Sequence, residues 1–504
     1  MVSFRQCMIY GMIFASGALI GYDSGYLNGV LGSDDFIERY GITNSLSRSK
    51  YLQPGTRSLF TSILVVGTML GSALASITAD RIGRKGSLIL AAVVYTIGVV
   101  LQTIAPPPAV FALGRAFLGA ALGLISVVSP MYLVESSKAN TRGRLVSFYT
   151  LLLTSGNVLA CGISFGTSKL SGANSWRITV AFQLFLALIV FGGALVAPES
   201  PVLLTKKGKL EEARKSIAAL RNIGISSDEM TQEYREIVAW IEEQSTHESV
   251  RLSEIFQGAN LRRQLLGMSM AILTIATGIT FWFGYGTTFF QAAGVRNSYL
   301  ISVILALVNA IFTALSTILV EKVGRRTCLL WGGVIMGVTM LIPAVMNSAS
   351  RDRIADNNAL IAGAVIFIAA YAATWGTMGW VIMTEPYSQR LRLHQSTLTM
   401  LVYWLATWAI GFVTPYLVDS TAADLGSNVC YIWFAMIVIS IIWAYLCVPE
   451  LSGLSVSETD LLFDTGVPAW RSKEWHKELR ICEARIQEAE GPSPKVGTMQ
   501  CMKE

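Results

Sequence analysis

About twelve apolar runs, each approaching the roughly 20 residues needed to cross a bilayer, constrain this chain more than any other feature. They lie near 7–32, 58–79, 87–105, 110–134, 145–166 and 178–197, and then near 264–292, 299–320, 327–346, 359–384, 395–418 and 428–448. The runs are too continuous for the alternation of a membrane barrel. Inside lipid, backbone polar groups must be satisfied within each segment, so the spans are expected to be helices. Composition agrees: of 504 residues 53% are hydrophobic and only 14% charged, where a soluble chain carries about a quarter. The first run begins within a few residues of Met1 and no cleavage site follows it, so it reads as a span and not a signal peptide.

Short loops set the orientation. Arg81, Arg84 and Lys85 lie in one, Lys138, Arg142 and Arg144 in another, Lys322, Arg325 and Arg326 in a third. Loops 105–109 and 419–427 hold no Lys or Arg. The positive-inside rule places the basic loops, and with them both termini, in the cytoplasm. Loop 33–57 is an exception, mixing Arg39, Arg48, Lys50 and Arg57 with Asp34, Asp35 and Glu38, and is read as external.

The net charge of +6 is dispersed between spans and carries no nucleic-acid motif. Seven cysteines fall mostly in spans or the tail, with no CxxC pair. His247, His394 and His476 are scattered, so no metal site or cofactor is expected. No nucleophile–base pair or phosphate loop stands out, which argues against an enzyme.

The chain also repeats itself. Residues 80–85 read Asp-Arg-Ile-Gly-Arg-Lys and residues 321–326 read Glu-Lys-Val-Gly-Arg-Arg. The two boxes start 241 residues apart (321 minus 80), and each joins two spans. Span four ends at Glu135 before Arg142, and span ten ends at Glu385 before Arg390. Span six ends Pro198-Glu199, and span twelve ends Pro449-Glu450. Matched echoes of this kind predict two homologous halves. Domains are therefore expected at 1–197 and 264–448. A cytoplasmic helical linker is expected at 198–263, with helices near 209–221 and 229–244, where it could latch the halves. A polar tail follows at 449–504, with a helix near 473–489. Acids and bases at helix ends on the cytoplasmic face, namely Asp80, Arg81, Gly83, Arg84, Glu135, Arg142, Glu199, Glu321, Gly324, Arg325, Glu385 and Arg390, form a candidate gating network. Exposed ion pairs are worth only about 0–1 kcal/mol each, which suits a latch that must open in each cycle.

Together these motifs resemble the sugar porter family of the major facilitator superfamily, in its fungal branch. The resemblance runs from about Gly21 to Trp475. It includes Gly21-Tyr-Asp-Ser-Gly25, both boxes, Gly114-Arg115, Pro130-Met-Tyr-Leu-Val-Glu135, Pro198-Glu-Ser-Pro201, Gly284-Tyr-Gly-Thr-Thr-Phe-Phe290 and Trp375-Gly-Thr-Met-Gly-Trp380. It implies an all-α membrane protein of twelve helices in two six-helix bundles, monomeric as a transport unit, with a solute site between the bundles at mid-membrane. It also implies carriage of monosaccharides, polyols or related compounds, by facilitated diffusion or proton symport.

Asp23 is a carboxylate inside an apolar span, and such a group is a functional candidate by default. The matching aspartate and arginine of proton-coupled relatives form a pair that protonation breaks, which points here to Asp23 and Arg115. For the solute, the resemblance offers Asn309, Trp380 and Asn157. The chain departs at other family positions: Thr150 and Thr274 stand where the family has glutamines, Thr280 and Tyr403 where it has asparagines, and Gly284 replaces the first of a tyrosine pair whose second member, Tyr285, is kept. Threonine reaches less far than glutamine and offers fewer hydrogen bonds, so an ordinary hexose is not the expected best substrate. The expectation is proton-coupled uptake of a sugar, polyol or sugar-like solute at the plasma membrane. The alternatives are a facilitator or exporter of a small metabolite, or a nutrient sensor without net flux.

Overall fold

The computed structural model describes residues 4–490 except 44–49, 105–106, 138–141, 225–226, 246–251, 293, 296, 350–352, 389–390, 420–421, 424, 453 and 455. In the first half α1 (Phe4–Leu31) is followed by α2 (Asp34–Tyr40), α3 (Pro54–Arg81), α4 (Gly83–Ile104), α5 (Pro108–Ser136), α6 (Arg142–Thr167), α7 (Asn174–Ala181) and α8 (Gln183–Val196). The linker carries α9 (Pro201–Lys206), α10 (Leu210–Arg221) and α11 (Asp228–Ser245). The second half holds α12 (Gly258–Ala276), α13 (Ile279–Ala292), α14 (Ser298–Val323), α15 (Arg325–Ala349), α16 (Arg353–Ala373), α17 (Trp375–Ile382), α18 (Arg392–Val418) and α19 (Val429–Cys447). The tail adds α20 (Val456–Asp464) and α21 (Ser472–Glu490).

Among the described residues, eleven segments are long and apolar enough to cross a membrane. The 28-residue α1 is not one of them, because Asp23, Asn28 and three tyrosines dilute it. It packs on α6 and α8 as the remaining member of the first bundle. Three spans read as single runs are each two helices: α7 and α8 meet at Phe182, α12 and α13 at Gly278, and α16 and α17 at Thr374. Gly278 takes φ +90°, a backbone that only glycine adopts freely. Hydropathy cannot see such breaks, since apolar residues continue through them.

One buried cluster runs from Ile9 to Leu220 and a second from Leu266 to Leu479. Within the first, α3 and α5 approach closely through facing small residues. Gly67 and Gly71 lie against the backbone of Ala116 and Ala120, and Gly119 and Gly123 against that of Leu64 and Thr68. Two G-x-x-x-G patterns thus interlock, as membrane helices do when packing replaces the hydrophobic drive.

Residues 33–57, expected as loop, contain α2 and an antiparallel pair of two-residue strands, β1 (Ile42–Thr43) and β2 (Lys50–Tyr51). Here α2 buries Phe36 and Tyr40 among Phe60, Phe111 and Trp176. The opposite face of the molecule carries the box turns, the start of α1, the linker and the tail. Gln6 Nε2 donates to Leu220 O, Lys207 Nζ to Arg81 O and Arg326 Nη1 to Ala469 O. Helices α9 and α20 are additions to the sequence reading; α10, α11 and α21 fall within a residue or two of the expected ranges. We call this the box face.

Candidate functional site

A buried ion pair sits inside the first bundle. Arg115 Nη1 donates to Asp23 Oδ1 at 3.0 Å, with Asp23 5% and Arg115 2% exposed. The same nitrogen donates to the Tyr26 hydroxyl at 2.8 Å, and Arg115 Nε donates to Phe60 O at 3.0 Å. The Tyr26 hydroxyl donates in turn to Gln102 Oε1 at 2.7 Å. Two opposite charges out of water are tolerated because they meet, and removing one partner of such a pair costs about 3–5 kcal/mol.

The other residues singled out in the sequence divide. Asn157 is buried where α6 crosses α1, its Oδ1 lying in the space a side chain at Gly25 would fill. Asn309 is half-buried on α14, which leans on α6 of the other bundle. Thr274 is buried against Gly379, and neither its hydroxyl nor that of half-buried Thr280 has a protein partner. Trp380 is 47% exposed with its ring tilted on Tyr403, centroids 5.1 Å apart. Thr150 is exposed on α6. Tyr285 is different: its one hydroxyl proton is shared between Thr61 Oγ1 at 3.1 Å and Gly411 O at 3.0 Å.

Tyr285 belongs to a seam that joins the bundles at the end away from the boxes. Along it, Thr287 N donates to Asn28 Oδ1, Gln291 Nε2 to Gly32 O, Tyr299 Oη to Gly29 O and Ser58 Oγ to Phe412 O. Arg57 Nη1 stands 3.9 Å from Asp419 Oδ2. The molecule is therefore fastened across this face.

Among the described residues of the box face the bonds stay within each half, and they repeat. Arg84 reaches Glu135 through Nε (3.0 Å) and Nη2 (2.9 Å), and Asp80 through Nη1 (3.2 Å). Arg325 reaches Glu385 at 3.0 Å. Glu199 Oε1 accepts from Arg84 N at 2.9 Å at the start of α4, and Glu450 Oε1 accepts from Arg325 N at 2.8 Å at the start of α15. Each acid thus satisfies amides that a helix start leaves open and faces its positive end. Bonds from α10 also fall on the first half: Arg221 Nη1 donates to Ser136 O, and Ser216 Oγ to Glu199 O. Arg390 lies outside the described residues, as do the side chains of Arg142 and Glu321.

Sequence reasoning passed over Glu450, although its Pro-Glu echo of Glu199 was in view. It also passed over Tyr26 and Gln102. Tyr26 lies one turn after Asp23, hence on the same helix face, and Gln102 is a polar residue in an apolar span.

A family model described as "Sugar (and other) transporter" matches residues 8–463. The high-affinity hexose transporter HXT6 of Saccharomyces cerevisiae is 31% identical over 477 residues, covering 92% of this chain and 82% of that protein. The high glucose sensor RGT2 of the same yeast is 32% identical over 476 residues, covering 93% of this chain and 62% of the sensor. Among solved structures, the inward open conformation of the xylose transporter XylE from E. coli superposes with a TM-score of 0.74 at 22% identity, over 90% of this chain and 99% of that one. The proton:xylose symporter XylE bound to 6-bromo-6-deoxy-D-glucose gives 0.70 at 22% identity, over 92% and 100%. These neighbours carry the twelve-helix major facilitator fold.

Proposed function

The chain belongs to the sugar transporter family and is a multi-pass membrane protein, not an enzyme, and on that premise we propose that it takes up a sugar, polyol or sugar-like solute by proton symport. The observation that carries the coupling is the Asp23–Arg115 pair, 3.0 Å long and almost wholly out of water. We place the box face, both termini, the linker and the tail in the cytoplasm of a cell whose plasma membrane holds the protein, and take one chain as the transport unit.

The conformation is then inward-facing, with the seam from Asn28 to Asp419 closed on the outside. In the outward-facing state a proton adds to Asp23, giving a neutral acid that no longer holds Arg115 electrostatically. Solute lies between Asn157 and Thr150 on one bundle and Thr274, Thr280, Asn309, Trp380 and Tyr403 on the other. The two buried threonine hydroxyls lack a protein partner, which a hydroxylated guest would supply, and the exposed Trp380 ring suits the C–H face of a sugar. A solute touching both bundles favours closure only as far as it binds the closed state better. Tyr285 then completes the outer seam. In the outward-facing state Gly83, Gly324 and the basic and acidic groups around them fasten the inner face.

The test is accumulation of labelled hexoses, pentoses, polyols, quinate and galacturonate in a transporter-deficient cell at two pH values. Symport predicts concentrative uptake of at least one of them, greater at acid pH. Asp23→Asn should abolish accumulation while leaving exchange; equal concentrative uptake in that variant refutes the coupling role. The similarity to a glucose sensor supports a second reading, signalling without flux. It would be upheld by saturable binding of one of these compounds with no movement into sealed vesicles.

A further inference from the structure

Arg115 is a permanent cation with almost no exposure, so each state of the protein must offer its N–H groups acceptors. Asp23 supplies one. When a proton adds to the carboxylate, that acceptor becomes neutral and is free to leave. Two acceptors remain, Phe60 O on Nε and the Tyr26 hydroxyl on Nη1. A hydroxyl accepts from a cation only while its own proton points elsewhere. For Tyr26 that direction is Gln102 Oε1, 2.7 Å away. The Gln102 amide is itself turned by Nε2, which donates to Gly98 O at 3.4 Å. Tyr26 and Gln102 are both fully buried, so water does not substitute for either.

We propose that Tyr26 and Gln102 are positioning residues for the coupling step, keeping the Arg115 guanidinium in place while Asp23 is protonated and released. This rests on Asp23 as the coupling acid. Gln102 on α4 orients Tyr26 on α1, and Tyr26 holds Arg115 on α5. The Tyr26 ring, centred 5.5 Å from the guanidinium carbon, adds a contact independent of the hydroxyl. Other titratable groups in this layer bond elsewhere: Tyr22 to Thr179 O, Tyr95 to Gln183, Cys161 to Asn157 and Tyr285 to Thr61 and Gly411.

The experiment is the pH profile of initial uptake, normalised to surface expression. Tyr26→Phe keeps the ring and removes the acceptor, so Nη1 is left to Asp23 alone and the carboxylate form is favoured. The pH of half-maximal uptake should move to acid by about one unit. Gln102→Leu should move it the same way, and carries the test if Tyr26→Phe does not reach the membrane. Tyr95→Phe removes a buried hydroxyl of the same layer that bonds Gln183 and not Arg115, and should move the midpoint by clearly less. An unmoved midpoint in Tyr26→Phe and Gln102→Leu, or an equal shift in Tyr95→Phe, overturns the positioning role while Asp23→Asn still abolishes accumulation. Retained accumulation in Asp23→Asn overturns the coupling reading and this role with it.

Discussion

The carboxylate of Glu199 fills the space that a side chain at Gly83 would need. Gly83 has φ +87°, and its counterpart Gly324 has φ +90° with Glu450 in the matching place. Each glycine is thus fixed twice, by a backbone that L side chains rarely adopt and by an acid that caps the next helix. Gly83→Val and Gly324→Val should displace that acid, strip the caps of α4 and α15, and cut uptake at least about tenfold. Alanine at either site should fall between. Initial rates at equal surface expression decide, and wild-type rates in both valine variants would show that neither turn matters to the cycle.

The seam away from the boxes makes a second expectation. The Tyr285 hydroxyl fastens α13 to Thr61 on α3 of the other bundle. Tyr285→Phe removes that bond without removing the ring, which should weaken the closed seam by about 1 kcal/mol. Asp419→Asn should act in the same direction through Arg57, by less, since the pair stands at 3.9 Å and is partly exposed. A single cysteine at Thr288, in a background without the native cysteines, should react faster with an impermeant thiol reagent in both variants. Unchanged labelling would mean the seam is held by packing instead.

Much of this was legible in advance. The spans, the halves and the linker and tail helices announce themselves through apolar length and repeated punctuation, because lipid enforces both. The breaks at Gly278 and Thr374 did not, since they change backbone direction without changing hydropathy. The Asp23–Arg115 pair could be suspected from a charge in an apolar run. Its dependence on Tyr26 and Gln102 could not, because three helices must first bring residues 23, 26, 102 and 115 together.

Asp35 supplies a control for the pH experiments. Partial burial alone would raise its carboxyl, but hydrogen bonds from Arg39 and Trp176 outweigh this and hold it below the ordinary carboxylate range. A depressed folded value stabilises the protein above the unfolded value, near 3.9, and that stability is lost only as pH falls through the folded value. Between pH 5 and 7.5 Asp35 therefore stays charged. Asp35→Asn should lower the melting temperature equally at those two pH values and leave the pH midpoint of uptake unmoved. A midpoint that shifts with this substitution would assign part of the pH response to the outer face.

The tail makes the last case. Arg263, near the start of α12, is 2% exposed, yet its carboxylate partners lie on α20: Asp460 at 2.6 Å and Asp464 at 3.8 Å. Phe463 covers the same guanidinium at 5.0 Å. A cation this buried cannot exchange its partners for water at little cost, so α20 is part of the second bundle's stability and not an appendage. Asp460→Ala with Asp464→Ala should destabilise the protein by about 1–2 kcal/mol, less than for a wholly buried pair because both carboxylates are partly exposed, seen as a lower melting temperature in detergent. Adding Arg263→Met should recover most of the loss, because it removes the stranded charge while keeping an apolar stem against Phe463. If the triple variant melts no higher than the double, the carboxylates act through something other than Arg263.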